Sequence, residues 1–318
     1  MAKKYALGID VGGTYTKFGL VDKDGESLLE TQIPTTGYDT IDAFCEYLRK
    51  SFDEATTSLE NIEIIGVGVG APNGNYYKGT IEYAPNLKWK GIVPFIETLK
   101  KYFEYPAVLT NDANAAAIGE MIFGGAQGMK NFIVITLGTG LGSGIVANGE
   151  LVYGHDGFAG ELGHTTAFYG GRMCGTGKRG CLEAYASATG IKRSAFYLMA
   201  DSMEESELRK YSFNELTAKH ISDAALNGDW LAREAFRMTG EILGKKLAEF
   251  VAFSSPEAIF LFGGLAKAGK LIIDPTKKYM EEHLIEIFRN KVKIQPSGCH
   301  DKNSAVLGAS ALAWKEFG

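Results

Sequence analysis

The chain has 318 residues, 45% of them hydrophobic, which is enough for one large core or two smaller ones. It carries 33 Lys and Arg against 38 Asp and Glu, a formal charge of −5 with no long basic run, so no nucleic-acid partner is expected. Cys45, Cys174, Cys181 and Cys299 do not form the pattern of an extracellular disulfide framework, the apolar run at the start is too short for a signal peptide, and nothing approaches the roughly 20 apolar residues that span a bilayer. The expectation is a soluble cytoplasmic protein with no membrane partner.

In chain order, residues 5–9, 18–22 and 27–33 read as strands. A helix at about 39–56 follows, with Ile41, Phe44, Cys45 and Leu48 along one stripe. Residues 62–69 read as a buried strand ending at Gly70-Ala-Pro72, and 73–91 as a long polar and aromatic connection. Pro94 to Tyr102 reads as a helix, and 107–110 as a strand that delivers Asn111-Asp112-Ala-Asn114 at its C-terminal end. A small-residue helix around 115–120 is expected to cross between lobes, and 131–136 starts a second sheet. The glycine-rich stretch 149–183 has too few apolar repeats for a long helix. A helical region at 184–255, a strand at 257–262 ending in Gly263-Gly264, and an alanine-rich helix at 304–314 complete the chain. Hairpins followed by helix and strand indicate an α/β fold of mixed sheets covered by helices.

Two glycine-rich stretches share one design. Asp10-Val-Gly12-Gly13-Thr14 and Leu137-Gly-Thr139-Gly140-Leu-Gly each turn a hairpin and expose backbone N–H groups and a threonine hydroxyl at its tip. Such tips suit phosphate, because glycine lets backbone donors approach an anion. Taken singly, either is an ordinary hairpin turn; the pair suggests a nucleotide phosphate tail. The P-loop string is absent and the spacing is wrong for a dinucleotide fingerprint. Asp10 would repel phosphate unless Mg²⁺ or water lay between, and Lys17 is either a phosphate contact or an exposed strand lysine.

Asp112 is placed either to accept a proton from an incoming hydroxyl or to cap the following helix. Asn86, Asn111, Asp112, Glu161, His164 and Glu183 offer donors and acceptors suited to sugar hydroxyls, although either glutamate taken alone reads as a solvated surface group rather than a ligand contact. His164, Cys174 and Cys181 supply three zinc-type ligands where a structural site normally has four, and unpaired thiols beside a core histidine are the alternative.

With those motifs in place, the chain resembles the ROK family of sugar kinases and repressors, most closely its glucokinase branch. The resemblance rests on Asp10-Val-Gly-Gly-Thr14, Gly70-Ala-Pro72, Pro85-Asn-Leu-Lys-Trp89, Asn111-Asp-Ala-Asn114, the 137–144 stretch, Glu161-Leu-Gly-His164 and Cys174-Gly-Thr-Gly-Lys-Arg-Gly-Cys181-Leu-Glu183, in the family's order. It implies an actin-like ATPase (ribonuclease H-like) fold with two lobes around a nucleotide and sugar cleft. Residues 1–115 completed by 302–318 would form the smaller lobe, and 116–301 the larger.

The resemblance further implies phosphoryl transfer from ATP, with Mg²⁺, to the 6-hydroxyl of glucose, with Asp112 as general base. Asn86, Asn111, Glu161, His164 and Glu183 would contact the hexose. Asp10, Gly12, Gly13, Thr14, Thr139, Gly140, Gly263 and Gly264 would contact nucleotide, phosphate or metal. N-acetylhexosamine, mannose or fructose are alternative substrates, and an inactive sugar-binding or regulatory protein is the alternative function. A family repressor would need a DNA-binding extension, and the first strand here begins at Tyr5. The family forms homodimers or larger assemblies. Thr176 stands where the family motif has a further cysteine, which leaves zinc at His164, Cys174 and Cys181 open.

Overall fold

The protein is described from a computed structural model that covers residues 2–299 and 304–318. Contacts divide the chain into two compact units, one of Met1–Gly128, Leu151–Ala159 and Gly298–Gly318, the other of Met129–Glu150 and Gly160–Ser297.

The first unit is built on β1 (Lys3–Val11), β2 (Tyr15–Val21), β3 (Ser27–Pro34), α1 (Ile41–Thr56), β4 (Ile62–Gly70), β5 (Gly74–Asn75), β6 (Thr80–Glu82), β7 (Ile92–Val93), α2 (Phe95–Leu99), β8 (Ala107–Thr110) and α3 (Asp112–Ile122). Its main sheet has the order β3-β2-β1-β4-β8, with β1, β4 and β8 parallel and β2 antiparallel to both neighbours. Helix α1 starts where the Thr40 hydroxyl accepts from the Ala43 N–H and buries Phe44, Leu48 and Phe52 against the sheet. Where a long polar and aromatic connection was expected over 73–91, the chain holds β5 and β6, which pair with β7 just beyond as a three-stranded sheet. The Glu82 carboxylate is buried there, accepting from Asn75 Nδ2, Lys78 Nζ and Thr80 Oγ1, and this polar pairing is what hid the strands from a hydrophobic reading.

The second unit contains β9 (Phe132–Leu137), β10 (Leu141–Ala147), β11 (Glu150–Leu151), α4 (Ala188–Asp201), α5 (Ala218–Leu226), α6 (Trp230–Ser254), β12 (Ala258–Phe262), α7 (Lys270–His283) and β13 (Lys293–Pro296); the chain passes back to the first unit within β11. Its sheet order is β11-β10-β9-β12-β13, with β9, β12 and β13 parallel and β10 antiparallel to β9. An Asn148-Gly149 turn with positive φ at both residues closes β10 onto β11. Residues 160–187 hold short 3-10 turns at Leu162–His164 and Leu182–Ala184 and isolated β-bridges between Thr166 and Cys181 and between Met173 and Arg179, and no long helix. Phe132, Phe236, Leu243, Ile259 and Phe260 are buried in this unit.

The last helix, α8 (Ser304–Phe317), returns to the first unit and packs on β1, β4 and α3. Three glycines make that approach possible: a Cβ at Gly8 would overlap the Val306 carbonyl, one at Gly68 the Ala309 carbonyl, and one at Gly119 would come within 3.1 Å of the Gly308 backbone. Because α3 is held on α8 in this way, the first unit continues past the expected break at 115, and α3 belongs to it rather than crossing out of it. Of the segments expected at that boundary, residues 300–303 lie outside the described residues.

Candidate active site

In the first unit the candidate residues gather at the C-terminal ends of parallel strands. The register places Asp10 beside Gly70 and Gly70 beside Thr110, so β1, β4 and β8 end at one level. Ligands of open α/β sheets sit beyond this edge. Gly70 lies between the two aspartates: a Cβ there would be 3.9 Å from Asp10 Oδ1 and 3.9 Å from the Asp112 Cα. Between β1 and β2 the Gly12 N–H donates to the Tyr15 carbonyl at 3.1 Å, which closes the turn and leaves Thr14 exposed. Gly13 packs on the Asn86 backbone, whose oxygen would be 2.8 Å from any Cβ at 13, and the Asn86 residue itself is exposed.

The competing roles of Asn111 and Asp112 separate cleanly. Asn111 is the N-cap of α3, its Oδ1 accepting from the Asn114 N–H at 2.7 Å, so the group it offers a ligand is its amide NH₂. Asp112 occupies the first helical position, and its Oδ1 accepts from the Ala113 N–H at 2.8 Å. The Asp112 residue is exposed by area, yet enough protein surrounds its carboxyl for desolvation to raise the pKa against those backbone hydrogen bonds. Asp10 is pushed up to about 6, first by burial and then by the charge of Asp112, with Lys17 on the facing strand opposing both. Two carboxyls held near each other at a strand edge, both with raised pKa, are the arrangement of a proton-handling or cation-binding site. Asn114, quoted within the sequence motif without a role, is buried and donates from Nδ2 to Thr110 Oγ1 at 3.2 Å, tying α3 to the end of β8.

In the second unit the equivalent hairpin joins β9 to β10. The Gly138 N–H donates to the Gly140 carbonyl at 3.0 Å, the Gly142 N–H to Thr136 Oγ1 at 3.1 Å, and Thr139 is exposed at the tip. At the end of β12, Gly263 has φ of 97° and the Leu137 carbonyl would be 2.8 Å from its Cβ; at Gly264 nothing would lie within 4 Å of one. These glycines therefore keep the edge beside the hairpin free of side chains.

The other candidate residues of this unit converge on the same hairpin. Glu183 Oε2 accepts from the Leu141 N–H at 3.2 Å. His164 Nε2 lies 3.9 Å from Glu161 Oε2. The available ligand atoms of His164, Cys174 and Cys181 lie within 4.8 Å of one another, with the two sulfurs 3.0 Å apart and Thr176 Oγ1 3.0 Å from Cys174 Sγ. Burial opposes ionisation of Cys174, but hydrogen bonds from the Cys181 thiol and from Thr176 outweigh it and lower its pKa. Cys181 is pushed up to about 11 by burial and by the neighbouring Cys174 sulfur. His164 Nδ1 is buried with no hydrogen-bond partner, a cost that metal ligation would relieve. This donor set fits zinc with three protein ligands.

The ROK family model matches residues 6–316. The chain belongs to the ROK family. Over 90% of its length it is 36% identical to a glucokinase of Halalkalibacterium halodurans, covering 88% of that protein. It is similar to the crystal structure of a ROK family glucokinase from Streptomyces griseus in complex with glucose and AMPPNP, with a TM-score of 0.83, 32% identity, and coverage of 98% of this chain and 99% of that one. It is also 31% identical, over 96% of its length and 77% of the relative's, to a xylose repressor of Caldicellulosiruptor bescii. The ROK family thus includes both enzymes and regulators, and membership does not by itself fix function. The mixed α/β architecture expected from the sequence is that of this family, and no helix among the described residues is long and apolar enough to cross a membrane.

Proposed function

We propose that this ROK protein is an ATP-dependent hexose kinase that transfers the γ-phosphoryl group of ATP to the 6-hydroxyl of glucose. The observation that carries the reading is Asp112: capping falls to Asn111, and a carboxylate of raised basicity remains open at the sheet edge. In the reaction Asp112 accepts the proton of the 6-hydroxyl, the oxygen attacks the γ-phosphorus, and ADP leaves. A carboxyl whose pKa lies above the ordinary value is the better base for this step.

Asn86 and the amide of Asn111 in the first unit, and Glu161, His164 and Glu183 in the second, are each proposed contacts of sugar hydroxyls, and groups of this kind reject ligands that leave them unpaired. The Gly12–Thr14 turn and the turn at Thr139 and Gly140, with Gly263 and Gly264, present backbone donors to the nucleotide. Asp10 would help to hold Mg²⁺, and the cation would offset phosphate charge. Zinc at His164, Cys174 and Cys181 would neutralise thiolate charge and fix the His164 proton on Nε2, the nitrogen facing Glu161. Four buried cysteines outside any disulfide suit a reducing, cytoplasmic setting.

The test is ATP-dependent ADP release over a panel of hexoses with direct detection of the sugar phosphate and a control without sugar. Glucose 6-phosphate is the expected product. Product from an N-acetylhexosamine, mannose or fructose alone would move the specificity, and no product with any sugar would favour the second reading, a sugar-binding regulator, which the kinship with a xylose repressor supports.

A further inference from the structure

Glu183 has a contact that sugar recognition does not require. Its Oε2 accepts from the Leu141 N–H at 3.2 Å, on the strand leaving the Thr139 turn. The carboxylate also fills the space beside Gly140, where a Cβ would overlap that oxygen and lie 3.2 Å from the carboxyl carbon. The neighbouring segment adds two further ties: the Ala188 N–H donates to the Gly138 carbonyl at 2.8 Å, and the Leu182 N–H donates to the Thr165 carbonyl at 2.9 Å, next to His164. On the other side of the same strand, Gly163 packs so closely on the Leu141 carbonyl that a Cβ at 163 would overlap it. The glycine turn, the Leu162–His164 turn and the 181–188 segment therefore share Leu141 as a common support.

We infer that Glu183 is a positioning residue that fixes the phosphate-side hairpin and the hexose-side loop in one register, so that the absence of a side chain at Gly140 is a requirement of the hexose contacts as much as of the nucleotide. This rests on the kinase reading. It has an unusual consequence: a methyl group placed on the nucleotide hairpin weakens sugar binding when no nucleotide is present. The position two residues earlier supplies the contrast, because a Cβ at Gly138 would meet nothing within 4 Å.

Calorimetric titration of glucose into the nucleotide-free parent, Gly140→Ala and Gly138→Ala tests this. The expected result is a loss of about tenfold or more in glucose affinity for Gly140→Ala, the equivalent of roughly 1.4 kcal/mol, and less than about twofold for Gly138→Ala. A second pair leaves the backbone untouched and guards against misfolding of the glycine variants. Glu183→Asp, too short to reach Leu141, raises KM for ATP as well as for hexose, whereas Glu183→Gln, which still accepts from the Leu141 N–H, raises KM for hexose alone. Equal glucose affinity in all three proteins of the first series, an equal loss in both glycine variants, or identical KM patterns for the Asp and Gln variants would overturn the inference. A parent that phosphorylates glucose while Gly140→Ala binds it normally refutes the positioning role only. A parent that binds no hexose removes the kinase reading and this inference with it.

Discussion

Asp10 weakens the fold wherever it is ionised. Its folded pKa of about 6 lies above the 3.8 of a free carboxyl, so between those values the folded state holds the proton more tightly than the unfolded chain does. Stability from this group is therefore greatest at low pH and declines as pH rises from about 4 through about 6, leaving a penalty of about 3 kcal/mol where Asp10 is ionised. Asp10→Asn should raise the thermal midpoint at about pH 7.5 in the absence of divalent cations, with the difference from the parent closing by about pH 4, while phosphorylation falls. Scanning calorimetry at the two pH values checks this, and an Asn variant no more stable than the parent at the higher pH would contradict it. The sequence placed Asp10 beside the glycine turn, because a hairpin motif is local. It did not reveal that Gly70 lies between Asp10 and Asp112, nor that Asn111 rather than Asp112 is the cap, since both depend on strand register and side-chain rotamer.

Among the elements, the tightest constraint falls on α8 against the first sheet. A methyl at Gly68 would overlap the Ala309 carbonyl and sit 3.0 Å from the Ala313 nitrogen, both backbone atoms of α8, so no flexible side chain can move aside. Gly68→Ala should cost roughly 1–3 kcal/mol or more, read as a lower urea midpoint; an unchanged midpoint would show that α8 can slide on the sheet. An element with clean periodicity such as α1 was legible because Phe44, Leu48 and Phe52 fall on one buried face between exposed polar residues. The β5-β6-β7 sheet was not, because Asn75, Thr80 and Glu82 are buried through polar pairing, and α7 and β13 were passed over in a charged stretch whose apolar face is narrow.

The 174–181 loop carries a chemical prediction of its own. Thr176 Oγ1 already stands at the thiol cluster, so Thr176→Cys places a third sulfur there without moving the backbone. That variant should bind zinc at least about tenfold more tightly in competition with a chromogenic chelator, a full complement of four ligands being the usual condition of a structural site. Equal affinity would mean that position 176 does not face the metal.

At the scale of the whole molecule, the two sheets repeat one strand order, β3-β2-β1-β4-β8 and β11-β10-β9-β12-β13, with a glycine turn after the first strand of each. This repetition was partly readable, since the two glycine motifs announced it, but the common order of the parallel strands required the structure. A fold that serves enzymes and repressors alike must bind its ligand whether or not chemistry follows, so binding and turnover should be separable by a single residue. Saturating glucose at about 100 times its Kd should stabilise the protein by about 2.7 kcal/mol through mass action. On the proposed function, Asp112→Ala should retain most of that thermal shift, because the other proposed hexose contacts are unchanged, while kcat drops by about 10²–10⁴. Thermal denaturation with and without glucose, paired with turnover of the same preparations, reads both quantities. Loss of the shift together with turnover would make Asp112 chiefly a binding residue, and retention of turnover would remove it from the proton transfer.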